Sequence, residues 1–128
     1  MILTGDFFTI EDEAKEAGRV SADLLFDAGH DIFKGHFPGQ PVVPGVCMLQ
    51  IVKEWVESAI GQSLRLNKAS DIKFLTVIDP SRTPKVKAEL LYSNAEDGQI
   101  KASARFFLDN TLFFKFQGIF SPAGARQA

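Results

Sequence analysis

Hydrophobic and polar positions alternate along this chain with two different periods. Residues 18–26 alternate with period two, as a strand with one buried face does. Phe7-Phe8-Thr9-Ile10 reads as a short strand or turn. The period changes after Pro44-Gly45. Gln50, Lys53, Glu54, Glu57 and Ser58 lie at offsets 0, 3, 4, 7 and 8, one stripe of an α-helix. The helix is predicted over 46–60, stopped by Gly61. Its first turn and a half is apolar nearly all round, which predicts enclosure on most sides. Strand-like segments follow at 69–78, 84–94, 99–109 and 111–120. Hairpin turns are expected at 94–98 and at Asp109-Asn110, where Asn tolerates positive φ. A strand, one buried helix and an antiparallel meander predict an α+β fold, one sheet wrapped around one helix. The outer sheet face is then left for dimerisation or further packing. Residues 27–44 form an irregular stretch with three Gly and three Pro, long enough to suggest a functional loop.

Composition narrows the class. A chain of 128 residues fits a single domain, 1–128, with 121–128 read as a frayed tail. It can bury a core without disulfide or metal. The single cysteine, Cys47, excludes an internal disulfide and fits a reducing, cytoplasmic setting. No metal-ligand spacing occurs, and neither a metal nor a cofactor is expected. The net charge of −2 gives no reason to expect a nucleic-acid or membrane partner. Asp6, Glu11, Asp12, Glu13 and Glu16 are unlike the start of a signal peptide. The apolar run 42–49, broken by Pro44 and Gly45, is too short to span a bilayer. Twelve Phe against one Tyr and one Trp predict a dry core and a dry ligand channel.

The candidate chemistry lies in 35–50. His36 sits between Gly35 and Phe37 on a loop stiffened by proline. That loop leads into a helix start at Pro44-Gly45, where free N–H groups carry partial positive charge. A base beside such donors suits proton abstraction next to a carbonyl. From the residues alone, His36 reads first as a loop histidine that caps or packs, with the base as the alternative.

The run His36-Phe37-Pro38-Gly39, then Pro41, then Pro44-Gly45-Val46, resembles the active-site motif of 3-hydroxyacyl-[acyl-carrier-protein] dehydratases. Asp71-Ile72-Lys73-Phe74-Leu75 is similar to the family's strand after its central helix. The resemblance implies a hot-dog fold, a curved antiparallel sheet around one long central helix. It implies a lyase that dehydrates 3-hydroxyacyl thioesters, carried on acyl carrier protein or coenzyme A, in fatty-acid or polyketide-like biosynthesis. It implies His36 as the base at C2 and Gly45 as the N–H donor to the thioester carbonyl. Pro44 shapes that donor, and Phe33, Phe37 and Val46 line the acyl channel. The family builds each site across a dimer interface, so the partner is a second copy or a paralogue, as a dimer or a hexamer.

The chain departs from the motif at Gln50, which stands where the family has a carboxylate. A Gln amide can hydrogen-bond a hydroxyl but supplies no titratable proton, and general acid catalysis contributes roughly 10²–10⁴ in rate. Gln50 is therefore either an orienting catalytic residue, a member of the solvated helix stripe, or the sign of another arrangement. Glu54 is a stand-in acid in one such arrangement. In another a paralogue brings the acid in a heterodimer. The remaining readings are an acyl thioesterase and a non-catalytic acyl-binding subunit. His30 reads as a surface loop residue or a second base, and Cys47 as core or a nucleophile. Trp55 reads as a core or dimer residue. Arg65, Lys68, Lys73, Arg82, Lys85 and Lys87 are either solvated or face an acidic carrier.

Overall fold

The computed structural model describes residues 2–35 and 41–123. Its centre is helix α2 (Gly45–Ile60), formed where the polar stripe predicts it. Pro44 precedes it at φ −63° and ψ 145°, a conformation its ring favours. Gly61 ends it at φ 70°, and its N–H bonds the Glu57 carbonyl. That left-handed φ suits glycine, so the helix stop is written into the chain. Cys47, Met48, Ile51, Val52, Trp55 and Val56 are buried. The Trp55 indole N–H donates to Glu13 at 2.9 Å, so its polar tip is satisfied in the interior.

Six strands surround the helix: β1 (Phe8–Glu16), β2 (Arg19–Phe26), β3 (Leu64–Phe74), β4 (Lys85–Asn94), β5 (Ile100–Leu108) and β6 (Thr111–Pro122). They form one antiparallel sheet of order β1-β2-β4-β5-β6-β3. Alternate residues of β2, β4 and β5 are buried, including Val20, Leu24, Val86, Leu90, Ile100 and Phe106. They share one core with the buried face of α2. Burying a side chain such as Phe106 or Phe114 contributes roughly 1.5–3 kcal/mol. Nine of the described phenylalanines are buried, and no buried polar side-chain atom among the described residues lacks a partner. This is the α+β hot-dog arrangement that the resemblance implies.

Several elements differ from expectation. β1 continues through acidic residues to Glu16. An edge strand with an exposed outer stretch needs no apolar alternation, and a bulge at Asp12 (φ 51°) shifts its register. A short helix, α1 (Ile32–Gly35), stands in the stretch read as irregular. β3 begins at Leu64 and ends at Phe74, earlier than the predicted 69–78. It pairs with β6 while β4 pairs with β2, so the strands after α2 are not a simple meander. Gly118 permits that closure, since a Cβ there would lie 2.7 Å from the Lys68 carbonyl oxygen. Residues 121–122, expected in a frayed tail, end β6 opposite β3, and the Ala123 N–H bonds the Ser63 carbonyl at 2.9 Å. In the β5–β6 turn, Asp109 rather than Asn110 takes the positive φ, 52°.

The outer sheet face is mainly charged. Arg19 and Arg105 both pair with Glu89, and Lys87 pairs with Asp23. Exposed apolar side chains gather instead at the open β3 edge and next to it: Leu66, Phe74, Leu75, Val77 and, at the α2 start, Val46.

Candidate active site at the start of the central helix

The first turn of α2 leaves donors open. Cys47 and Met48 N–H both reach the Pro44 carbonyl, at 3.0 and 3.1 Å. The Gly45 and Val46 N–H groups have no partner, and no side chain caps the helix, among the described residues. No acidic residue stands in this turn to neutralise the positive helix end. A carbonyl oxygen that gains negative charge is stabilised at such a position.

Glycine at position 45 has a packing cause. A Cβ there would sit 2.9 Å from Phe74 Cε1 and Cζ. The Phe74 ring lies against the bare helix start and is tilted on Phe114, with centroids 5.3 Å apart. An open apolar groove of about 340 Å³ runs beside Gly45, between Val42, Pro44 and Met48 and the segment from Phe74 to Val77. A larger cavity of about 610 Å³ adjoins it through Val42, Thr76 and Val77, with Asp79 and Arg82 among its lining residues. The smaller groove is the candidate acyl site because the free N–H groups lie there.

Gln50 is not part of that groove. It is two residues from Met48, or about 200° around the helix. Its Nε2 donates to Glu54 Oε2 at 2.8 Å. Glu54 also accepts the N–H groups of Leu3 and Thr4, each at 2.8 Å, and the Thr4 hydroxyl. Burial pushes the Glu54 carboxyl up. The hydrogen bonds from Thr4, Gln50 and Leu3 together outweigh it and hold the group below its ordinary range. Glu54 is thus an anion that clamps the N-terminal segment onto α2. A group in that state has no proton to give, so the stand-in acid reading fails. The sequence offered no local sign of this, because Glu54 belongs to the polar stripe and its cover arrives from residues 3 and 4.

The other candidates divide. Phe33 is buried and stacked on Phe7 at 5.1 Å, within the core and not along the groove. Val46 is 66% exposed at the helix start. His30 accepts the Ile32 N–H at Nδ1, 3.0 Å away, which places its proton on Nε2, 3.0 Å from Asp6 Oδ2. With both ring nitrogens engaged, His30 caps α1 and is not a free base. Cys47 is buried, and burial pushes its thiol up, away from nucleophilic use. His36 and Phe37 lie outside the described residues. No group of three potential metal ligands occurs among the described residues, and no helix is long and apolar enough to cross a membrane.

Comparison with known proteins shows the family and the fold. A 3-hydroxyacyl-[acyl-carrier-protein] dehydratase FabZ of Levilactobacillus brevis is 24% identical over 100 residues, covering 73% of this chain and 68% of the relative. A chain of the dehydratase heterocomplex ApeI:P from Xenorhabdus doucetiae superposes with a TM-score of 0.68 at 21% identity, over 89% of this chain and 98% of that one. A putative thioesterase from Ralstonia eutropha, related to phenylacetic acid degradation, has a TM-score of 0.61 at 14% identity, over 88% and 83%. Residues 11–107 match the ApeI-like family, described as ApeI dehydratase. This span contains the candidate loop, α2 and its free N–H groups, and the chain belongs to the ApeI-like dehydratase family.

Proposed function

We propose that this chain dehydrates 3-hydroxyacyl thioesters borne on acyl carrier protein, and that it does so with a second chain that supplies the acid. The observation that carries the reading is the uncapped start of α2 at Gly45, opening into an apolar groove. The thioester carbonyl accepts hydrogen bonds from the Gly45 and Val46 N–H groups, which lowers the energy of the enolate-like state. His36 removes the proton at C2. The C3–O bond then breaks, its electrons leave with oxygen, and a proton from the acid completes the departing water. A C2–C3 double bond remains.

The acid is the part this chain lacks. Gln50 has no titratable proton, and Glu54 is held anionic. Gln50 and the groove also lie on different sides of α2, as suits a site completed across an interface. The open β3 edge, with Leu66 exposed and Phe74 beside Gly45, is the surface on which a second copy or a paralogue would complete it. The heterocomplex named for the Xenorhabdus doucetiae chain supports a paralogue as partner. The reading places the reaction in the cytoplasm, with no cofactor.

The test is turnover of a 3-hydroxyacyl carrier thioester by this chain alone and mixed with a paralogue bearing Glu or Asp at the position of Gln50. Slow or absent turnover alone, fast turnover in the mixture and loss of activity in His36→Ala are expected. An unchanged rate in His36→Ala would refute the assigned base. Release of free thiol without enoyl product would establish a thioesterase instead, and a stable but inactive complex an acyl-binding subunit.

A further inference from the structure

The outer sheet face brings like charges together. Arg105 stands directly opposite Lys115, and Lys115 directly opposite Lys73, so three cations line one row across β5, β6 and β3. Like charges directly opposite one another in a sheet repel and cost stability. Glu89 continues the row on β4, but Arg105 shares it with Arg19, which relieves that end alone. Lys73 and Lys115 are exposed and, among the described residues, in no ion pair. Two rows away, exposed Lys101 and Lys68 stand on either side of Ile119. The row between is Leu91, Ser103, Gln117 and Asp71. It forms the floor of a groove, where two shallow depressions of about 370 and 190 Å³ meet at Leu91, Ser103 and Gln117. Leu91 is 44% exposed there and offers an apolar contact. The cationic rows lie four residues apart, roughly 14 Å along a strand, and an α-helix is roughly 10–12 Å across.

We propose that the outer face of β4, β5, β6 and β3 is a docking surface for an amphipathic α-helix of a protein partner, with an apolar stripe over Leu91 and carboxylates along both flanks. The helix lies across the strands, between the row of Arg105, Lys115 and Lys73 and the row of Lys101 and Lys68. Its carboxylates neutralise cations that repel one another in the free sheet. Asp71, the carboxylate on the groove floor, attracts the positive N-terminus of the helix to the β3 end. An anionic membrane is too broad to enter the groove, and duplex DNA brings no apolar stripe to Leu91. The surface is independent of the thioester reading, because the groove beside Gly45 lies at the start of α2 and shares no residue with it.

The experiment titrates the full chain, in its native oligomer, into a fluorescent helical peptide with a leucine stripe flanked by glutamates, read by anisotropy. A twin peptide with lysine for every glutamate, vesicles of phosphatidylglycerol and duplex DNA are the rival probes. The acidic peptide should bind, more weakly as salt is raised, and the lysine twin should not. Lys115→Glu replaces the central cation with a partner for Arg105 and Lys73. It should raise Tm by a few °C and weaken the acidic peptide at least about tenfold. A substitution that stabilises the fold while it removes binding separates a docking role from a structural one. Leu91→Ser keeps every charge and should weaken the same peptide several-fold. No binding of the acidic peptide, or equal binding of its lysine twin, would overturn the proposal. So would an affinity unchanged in Lys115→Glu. An affinity lowered by Lys115→Glu but untouched by Leu91→Ser would show diffuse charge attraction and overturn the groove. Tighter binding to the vesicles or the DNA than to the peptide would overturn the choice of a helix.

Discussion

Replacing Glu54 with alanine removes the acceptor that, among the described residues, holds residues 3 and 4 to the central helix. The Leu3 N–H is buried and becomes an unsatisfied donor, which costs about 1–3 kcal/mol. The Thr4 N–H and hydroxyl are part-buried and recover hydration in part, so they add less. Together these losses give an expected destabilisation of about 3 kcal/mol, or a fall in Tm of about 10 °C for a domain of this size. Urea denaturation followed by circular dichroism reads the free energy, and hydrogen exchange at the Leu3 amide reads the clamp itself. The dependence on pH has a defined sign. The folded-state pKa of Glu54 lies below its ordinary value of 4.5. Its contribution is therefore complete above the unfolded pKa and disappears as pH falls through the depressed folded one. The gap between the natural chain and Glu54→Ala should thus be constant near neutrality and narrow in acid. A loss under about 0.5 kcal/mol, or unchanged protection of the Leu3 amide, would refute the clamp, since surface substitutions stay within that range.

Gly45→Ala should push the Phe74 ring off the helix start. It should cost about 1 kcal/mol, because the ring is half-exposed and can move, and adding Phe74→Ala should restore the stability; thermal melts of the single and double variants check this. Trp55→Ala should cost roughly 3–5 kcal/mol in urea denaturation, because the side chain is fully enclosed and its indole N–H is bonded to Glu13. His30→Ala should remove the cap of α1, cost about 1 kcal/mol and speed hydrogen exchange at Ile32. Leu66→Lys should shift the chain toward monomer in analytical ultracentrifugation without unfolding it, since Leu66 lies exposed on the open edge strand.

Helix α2 was legible because its evidence is local. The polar stripe from Gln50 to Ser58 and the stop at Gly61 need no tertiary information, and β2, β4 and β5 reveal themselves by alternation over a few residues. β1 beyond Ile10 was not legible. Its outer residues are charged and exposed, so no apolar period marks them, and the strand exists because β2 offers it hydrogen bonds. The bounds of β3 escaped for the same reason. Leu64 is its one buried residue, and the strand follows the edge of β6 rather than a pattern of its own.

The candidate site divides along the same line. The Pro44-Gly45 helix start stands in the sequence, because proline and glycine carry their chemistry wherever they occur, and the resemblance to the dehydratase motif marks Gln50 as a glutamine where an acid is expected. The roles of Glu54 and His30 do not. A glutamate on a polar stripe and a histidine in a loop look solvated until residues 3 and 4, or residue 32, arrive as donors. The sequence by itself determined the central helix and its open N-terminus, since each depends on neighbours within a turn or two, while the absent acid at position 50 is what the resemblance to the dehydratase motif implies. Tertiary structure alone decided that β3 lies beside β6, that Phe74 covers Gly45, and that Glu54 is a buried anion facing Gln50. Those facts depend on contacts between distant parts of the chain, and local residue patterns do not encode which distant partner arrives.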